Sequence, residues 1–154
     1  KGNVALGGCT DEEYKTHFSV WCFMNSPLMI GCDVRSMNEA TKAILTNKEL
    51  IAINQDPEGR QAYTVNGWFN NDVVHYIKPL ANGDYGICSV NYSDRRAWAH
   101  LEFWDIGLPT MAGYGLELRD LWTGENLGVQ TESFASILEP HCCSVYRAKL
   151  VPVK

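Results

Sequence analysis

Residues Leu28–Cys32 form an unbroken apolar run that stops at a carboxylate, Asp33, and is followed by helix-forming sequence. A short run without polar alternation is the pattern of a strand buried on both faces, as in a parallel sheet covered by helices. No other feature restricts the fold as much, because such a strand requires a neighbour on each side. It reads as one β/α unit of a parallel barrel. Barrels of this kind carry their chemistry at the carboxyl ends of the strands, where Asp33 falls.

The flanking sequence supplies the helices. Thr10 and Glu13 have the Thr-x-x-Glu spacing of a capping box, and Asp11, Glu12 and Glu13 place negative charge at the helix start. Tyr14, Phe18, Trp21, Cys22 and Asn25 follow at three- and four-residue spacing, so one mainly apolar face points inward. Pro27 is expected to stop this helix, because the residue before proline is pushed out of the helical region. Ser36 and Glu39 have the spacing of a second capping box, for a helix near 37–45. Asn47 is placed to cap a third, which carries Leu50, Ile51 and Ile53.

At Asp56-Pro57-Glu-Gly59 the period changes from helical to alternating. Strands are expected at 61–66, 72–79, 85–92, 96–103, 115–122, 129–134 and 142–149. Turns fall at Asn82-Gly-Asp, Ser93-Asp, Thr123-Gly-Glu-Asn and Pro140-His. Short strands at this spacing predict an antiparallel sandwich. The fold class is thus α+β, with residues 1–56 as a helix-strand-helix end of a (β/α)8 barrel and 57–154 as an antiparallel β-sandwich domain. A whole barrel needs about 250 residues, so these 154 cannot contain one. Because it starts at Lys1 with no initiator Met or signal-type segment, the chain is expected to be a piece of something longer.

Charge and residue spacing exclude several functions. A net charge of −5, with no basic run longer than Arg95-Arg96, argues against a nucleic-acid partner and an anionic membrane partner. The six cysteines contain no Cys-x-x-Cys pair, and the four histidines (17, 75, 100 and 141) share no ligand spacing, so no metal site is expected. Cys22, Cys32 and Cys88 lie in apolar segments and read as small buried hydrophobes. Free thiols favour a reducing, cytoplasmic setting, although the compartment stays open. The tryptophans at 68, 98, 104 and 122 are expected mainly in the β core, given the area an indole buries. The other reading is a platform for stacking sugar rings, which would need two or more of them exposed.

Trp21-Cys-Phe-Met-Asn-Ser-Pro-Leu-Met-Ile-Gly-Cys-Asp-Val-Arg35 and Leu50-Ile-Ala-Ile-Asn-Gln-Asp-Pro-Glu-Gly59 resemble the last barrel unit of glycoside hydrolase family 27, the retaining α-galactosidases or melibiases. Leu118-Arg-Asp-Leu-Trp-Thr-Gly-Glu125 and Glu139-Pro-His-Cys-Cys-Ser-Val-Tyr-Arg147 resemble that family's carboxyl-terminal β-domain. The resemblance implies a parent that hydrolyses terminal α-galactosides through a covalent glycosyl-enzyme, with no metal or organic cofactor. Sister activities on α-N-acetylgalactosaminides or β-arabinopyranosides share this segment.

Retaining hydrolysis needs two carboxylates about 5–5.5 Å apart. The family's nucleophile lies in a Lys-Tyr-Asp-type motif on an earlier strand, and its acid/base Asp is also upstream. Neither motif occurs here, so no catalytic residue is assigned and the chain alone is expected to be inactive. Asp33 is the candidate substrate-binding residue, as an acceptor for sugar hydroxyls. Its competing role is structural, as a helix cap or a partner of Arg35. For the β-domain the alternatives are a carbohydrate-binding module and a purely structural layer. Residues 1–56 are expected to need completion by an upstream barrel portion, a second copy, or docking onto the β-domain, since unpaired strand groups are costly.

Overall fold

The computed structural model describes residues 2–69 and 71–153. Helix α1 spans Asp11–Phe23 and starts on the capping box read from the sequence. Thr10 Oγ1 accepts from the Glu13 N–H at 3.1 Å, while Glu13 Oε2 accepts from the Thr10 N–H at 2.7 Å. It ends before Pro27 exerts any effect. Asn25 turns left-handed at φ 55°, a conformation Asn tolerates, and donates from Nδ2 to the Gly59 carbonyl at 2.7 Å. Helix α2 (Glu39–Leu45) is capped by Asn38, whose Oδ1 accepts from Thr41 N–H at 2.8 Å. The Ser36–Glu39 box is therefore not used. Helix α3 (Lys48–Asn54) is capped by Asn47 as expected, and the same side chain donates to the Leu121 carbonyl.

Among the described residues eight strands follow: β1 Tyr63–Asn66, β2 Val73–Pro79, β3 Tyr85–Asn91, β4 Ala97–Glu102, β5 Tyr114–Asp120, β6 Asn126–Gln130, β7 Ser133–Leu138 and β8 Cys143–Pro152. The single strand expected at 129–134 is two strands, because the chain reverses at Thr131-Glu132 without glycine or proline to mark the turn. The large sheet is antiparallel, in the order β1-β2-β3-β8-β5-β6, and β4 pairs with β7 in a second small sheet.

Alternation along the central strands assigns their two faces. Ile77, Ile87, Leu116, Leu118, Tyr146 and Ala148 pack against Leu101 and Phe103 of the β4–β7 side. Cys88, Val90 and Val145 point the other way, onto Phe18, Cys22 and Phe23 of α1 with Ile44, Leu50 and Ile53 of α2 and α3. The molecule is thus three layers deep, helices over six strands over two. Gly86 makes the close approach possible, since a Cβ there would lie 3.1 Å from the Phe23 ring. The hydrophobic core runs straight across the Asp56/Pro57 change of period.

Among the described residues buried polar side chains are paired, with Ser144 Oγ the exception. His75 sits between the sheets with Nε2 2.9 Å from the His100 carbonyl and Nδ1 2.7 Å from Ser89 Oγ. A carbonyl only accepts, so Nε2 carries the proton and Nδ1 accepts from the serine. Burial holds this imidazole below its ordinary pKa. Lys78 is fully buried and donates to Asn25 Oδ1, and desolvation lowers its pKa. Of the cysteines, Cys22 and Cys88 are buried in the helix–sheet interface. Cys32, expected in a buried strand, is exposed.

One ionic clamp ties α1 to the β layers. His141, left-handed at φ 58°, lies 2.9 Å from Glu13 Oε1 through Nδ1 and 2.9 Å from Asp94 Oδ1 through Nε2. Bonding to Glu13 and then Asp94 raises the histidine pKa above its ordinary 6.5. Glu13 is held below its ordinary 4.5, first by the Thr10 N–H and then by His141. The histidine's contribution is therefore complete below about pH 6.5 and is lost as pH rises through its raised folded value. That of Glu13 is present above about 4.5 and is lost as pH falls through its lowered folded value. His141→Asn keeps the left-handed backbone and removes the titration. Urea midpoints at pH 6 and pH 8.5 should then show wild type ahead of the variant only at the lower pH, and less so in high salt.

Candidate functional site

Asp33 lies in a turn after the apolar run, with the Ser36 N–H bonded to its carbonyl at 3.4 Å. The Arg35 guanidinium grips its carboxylate at two points, Nε to Oδ1 at 3.0 Å and Nη2 to Oδ2 at 3.1 Å. The Arg35 backbone N–H adds a third bond at 3.0 Å. The Arg35 guanidinium, then its backbone N–H, holds the carboxyl below the usual carboxylate range. An acid so held is ionised at neutral pH. It accepts hydrogen bonds from hydroxyls but is unsuited to protonating a leaving group, which needs a raised pKa. It does not cap α2, which Asn38 does.

The strand expected at 28–32 does not form. These residues run as an irregular segment with Met29 85% and Ile30 56% exposed. The physical reason is local: no other segment among the described residues pairs with this backbone, and a lone strand has no ladder to join. Beside it lies a trough of about 600 Å³ on the outer side of the helices, lined by Trp21, Leu28, Met29, Ile30, Ile44 and Ile51. Helix α1 is therefore apolar on two sides, one filled by the sheet and the other open. Of the three ways of completing residues 1–56, docking onto the β layers accounts for the helices but leaves the 28–32 segment uncovered.

The tryptophans depart most from expectation. Only Trp122 packs inward, against α1, with Nε1 donating to Ser19 Oγ at 3.2 Å. Trp68, Trp98 and Trp104 are exposed. A core assignment rests on area alone, whereas these three fall at turns or on the outer face of the small sheet. Among the described residues no group of three or more His, Cys, Asp or Glu is arranged to hold a metal ion. No helix there is long and apolar enough to cross a membrane.

This geometry can be set beside known proteins. Residues 70–148 match the family described as "Alpha galactosidase C-terminal beta sandwich domain", and residues 2–56 match "Alpha galactosidase A". A probable alpha-galactosidase of Dictyostelium discoideum is 38% identical over 142 residues, covering 91% of this chain and 36% of its own length. Alpha-galactosidase I of Mortierella vinacea superposes with a TM-score of 0.83 at 30% identity, over 94% of this chain and 37% of that one. A GH27 β-L-arabinopyranosidase of Geobacillus stearothermophilus gives 0.81 at 29%, over 91% and 30%.

The layered fold is thus similar to the carboxyl-terminal β-sandwich domain, with its preceding helices, of α-galactosidases of known structure. The chain belongs to glycoside hydrolase family 27, as the sequence resemblance implied. It spans about a third of the length of the curated relatives it matches.

Proposed function

We propose that the chain serves as the carboxyl-terminal part of a retaining α-galactosidase-type glycoside hydrolase. In this reading the segment up to residue 56 closes the catalytic barrel and the β layers brace it from behind. The observation that carries it is the open trough beside Leu28–Cys32. Its apolar walls and unpaired backbone fit neighbouring barrel strands, and the segment ends in a carboxylate locked in its ionised form. The two carboxylates of the retaining mechanism would come from those neighbours. Asp33, oriented by Arg35, accepts hydrogen bonds from substrate hydroxyls at the rim.

The test compares p-nitrophenyl α-galactoside hydrolysis by the 154-residue chain and by a polypeptide that also supplies the preceding barrel. The first should show no turnover above background and the second should be active. Turnover by the purified short chain would overturn the reading. In the longer polypeptide Asp33→Asn should lower kcat/KM by roughly 10- to 100-fold, the weight of a charged hydrogen bond. An unchanged value would leave Asp33 a structural partner of Arg35 only. The similar superpositions on an α-galactosidase and an arabinopyranosidase give the second reading, action on β-arabinopyranosides. Assaying both glycosides side by side separates them.

A further inference from the structure

We propose that the β layers carry, beside the small β4–β7 sheet, a carbohydrate-binding site for a neutral pyranoside, built around Trp68 and Trp104. The proposal does not rest on the hydrolase reading. The two tryptophans come from separate places in the chain, the β1–β2 turn and the 3-10 turn Phe103–Ile106 that follows β4. They meet at one pocket of about 410 Å³, with Glu102, Leu108, Thr110 and Glu132 as the other walls. That volume falls within the range of small-molecule sites, about 300–1,000 Å³.

Several contacts hold the walls in place. Trp68 Nε1 donates to Asp105 Oδ2 at 2.5 Å, so an indole that is 58% exposed is fixed by its polar edge while its face stays open. Trp104, 73% exposed, precedes that aspartate, and its other neighbour Phe103 is fully buried and anchors the turn. The Phe103 N–H bonds the Glu132 carbonyl at 3.0 Å, joining the β6–β7 turn to the same frame. Glu102 is positioned by His100, 2.7 Å away, and that ring stands edge-on to Phe69 at 5.2 Å.

Single exposed apolar residues are ordinary. Two indoles converging on one pocket, one of them hydrogen-bonded into position without burial, are not explained by packing. The chemistry of the walls selects the ligand. Flat open aromatic faces suit the C–H side of a pyranose, and Glu102, Glu132 and Thr110 offer acceptors and a hydroxyl to its equatorial groups. The carboxylates repel anions. Quaternary ammonium ions favour an aromatic cage that encloses the charge, whereas these indoles are open to solvent.

The experiment is an NMR titration of the 154-residue chain with the methyl glycosides of galactose, glucose and mannose, following the tryptophan indole N–H signals. At least one glycoside should shift the Trp68 and Trp104 signals saturably and leave Trp98 unmoved. Trp104→Ala should weaken binding about tenfold, the effect of losing one aromatic contact. Trp98→Ala, on the outer face of β4, should not change it. Glu132→Gln, an exposed change that leaves the core alone, should also weaken binding and guards against misfolding of the tryptophan variant. No shift with any glycoside would overturn the proposal. So would binding that survives both Trp104→Ala and Glu132→Gln, or shifts given by tetramethylammonium and by no sugar.

Discussion

Replacing Phe23 by alanine should cost about 3–5 kcal/mol, the range for truncating a buried aromatic. Phe23 is fully buried at the carboxyl end of α1 and touches Gly86 and the rest of the helix–sheet core. A domain of this size has about 5–15 kcal/mol in total, so the loss approaches the point of unfolding. Urea denaturation followed by circular dichroism measures it. Because the ring fills the space that Gly86 leaves open, Phe23→Ala with Gly86→Val should recover part of the loss, a coupling that independent sites do not show. A cost under about 1 kcal/mol would mean that the helical layer is only loosely docked.

The second large effect should change with context. Met29→Glu with Ile30→Glu alters two side chains that face solvent in the 154-residue chain. There the stability change should stay within about 0.5 kcal/mol, and self-association seen by sedimentation velocity should fall as the apolar trough becomes charged. When the preceding barrel is supplied, the same pair would bury two unpaired charges, at several kcal/mol per ion. Soluble, active protein should then be lost. Equal, small effects in both settings would show that Leu28–Cys32 never becomes a barrel strand.

Local rules carried much of the fold. The Thr10–Glu13 box, the Asn47 cap and most strand spans were legible because each depends on residues a few positions apart. The segment 28–32 shows the opposite case. Its composition encodes a buried strand, but a strand exists only through its neighbours, and composition cannot report whether they are present. Asn38 displaced Ser36 as a cap although both had suitable chemistry, since the helix start was fixed by where Ile44 and Leu45 meet the core. The β6–β7 reversal was missed because Thr131-Glu132 carries no turn signature. Of the candidate site, the pairing of Asp33 with Arg35 was among the roles weighed, whereas the strand end at which Asp33 was placed is a turn here, for want of neighbouring strands. The tryptophan pocket was not legible, because exposure and convergence are properties of three loops folded together.

The core that crosses Asp56/Pro57 bears on how such a protein can be recombined. Phe18, Cys22, Phe23, Leu50 and Ile53 share one cluster with Leu80, Cys88, Val90, Leu121 and Val145, and Gly86 is shaped to receive Phe23. A crossover at the helix-to-strand junction would join one parent's ring to another parent's sheet surface. The exchangeable cassette therefore begins upstream of Asp11, and grafts cut at residue 57 inherit a mismatched seam unless the helices travel with the sheet.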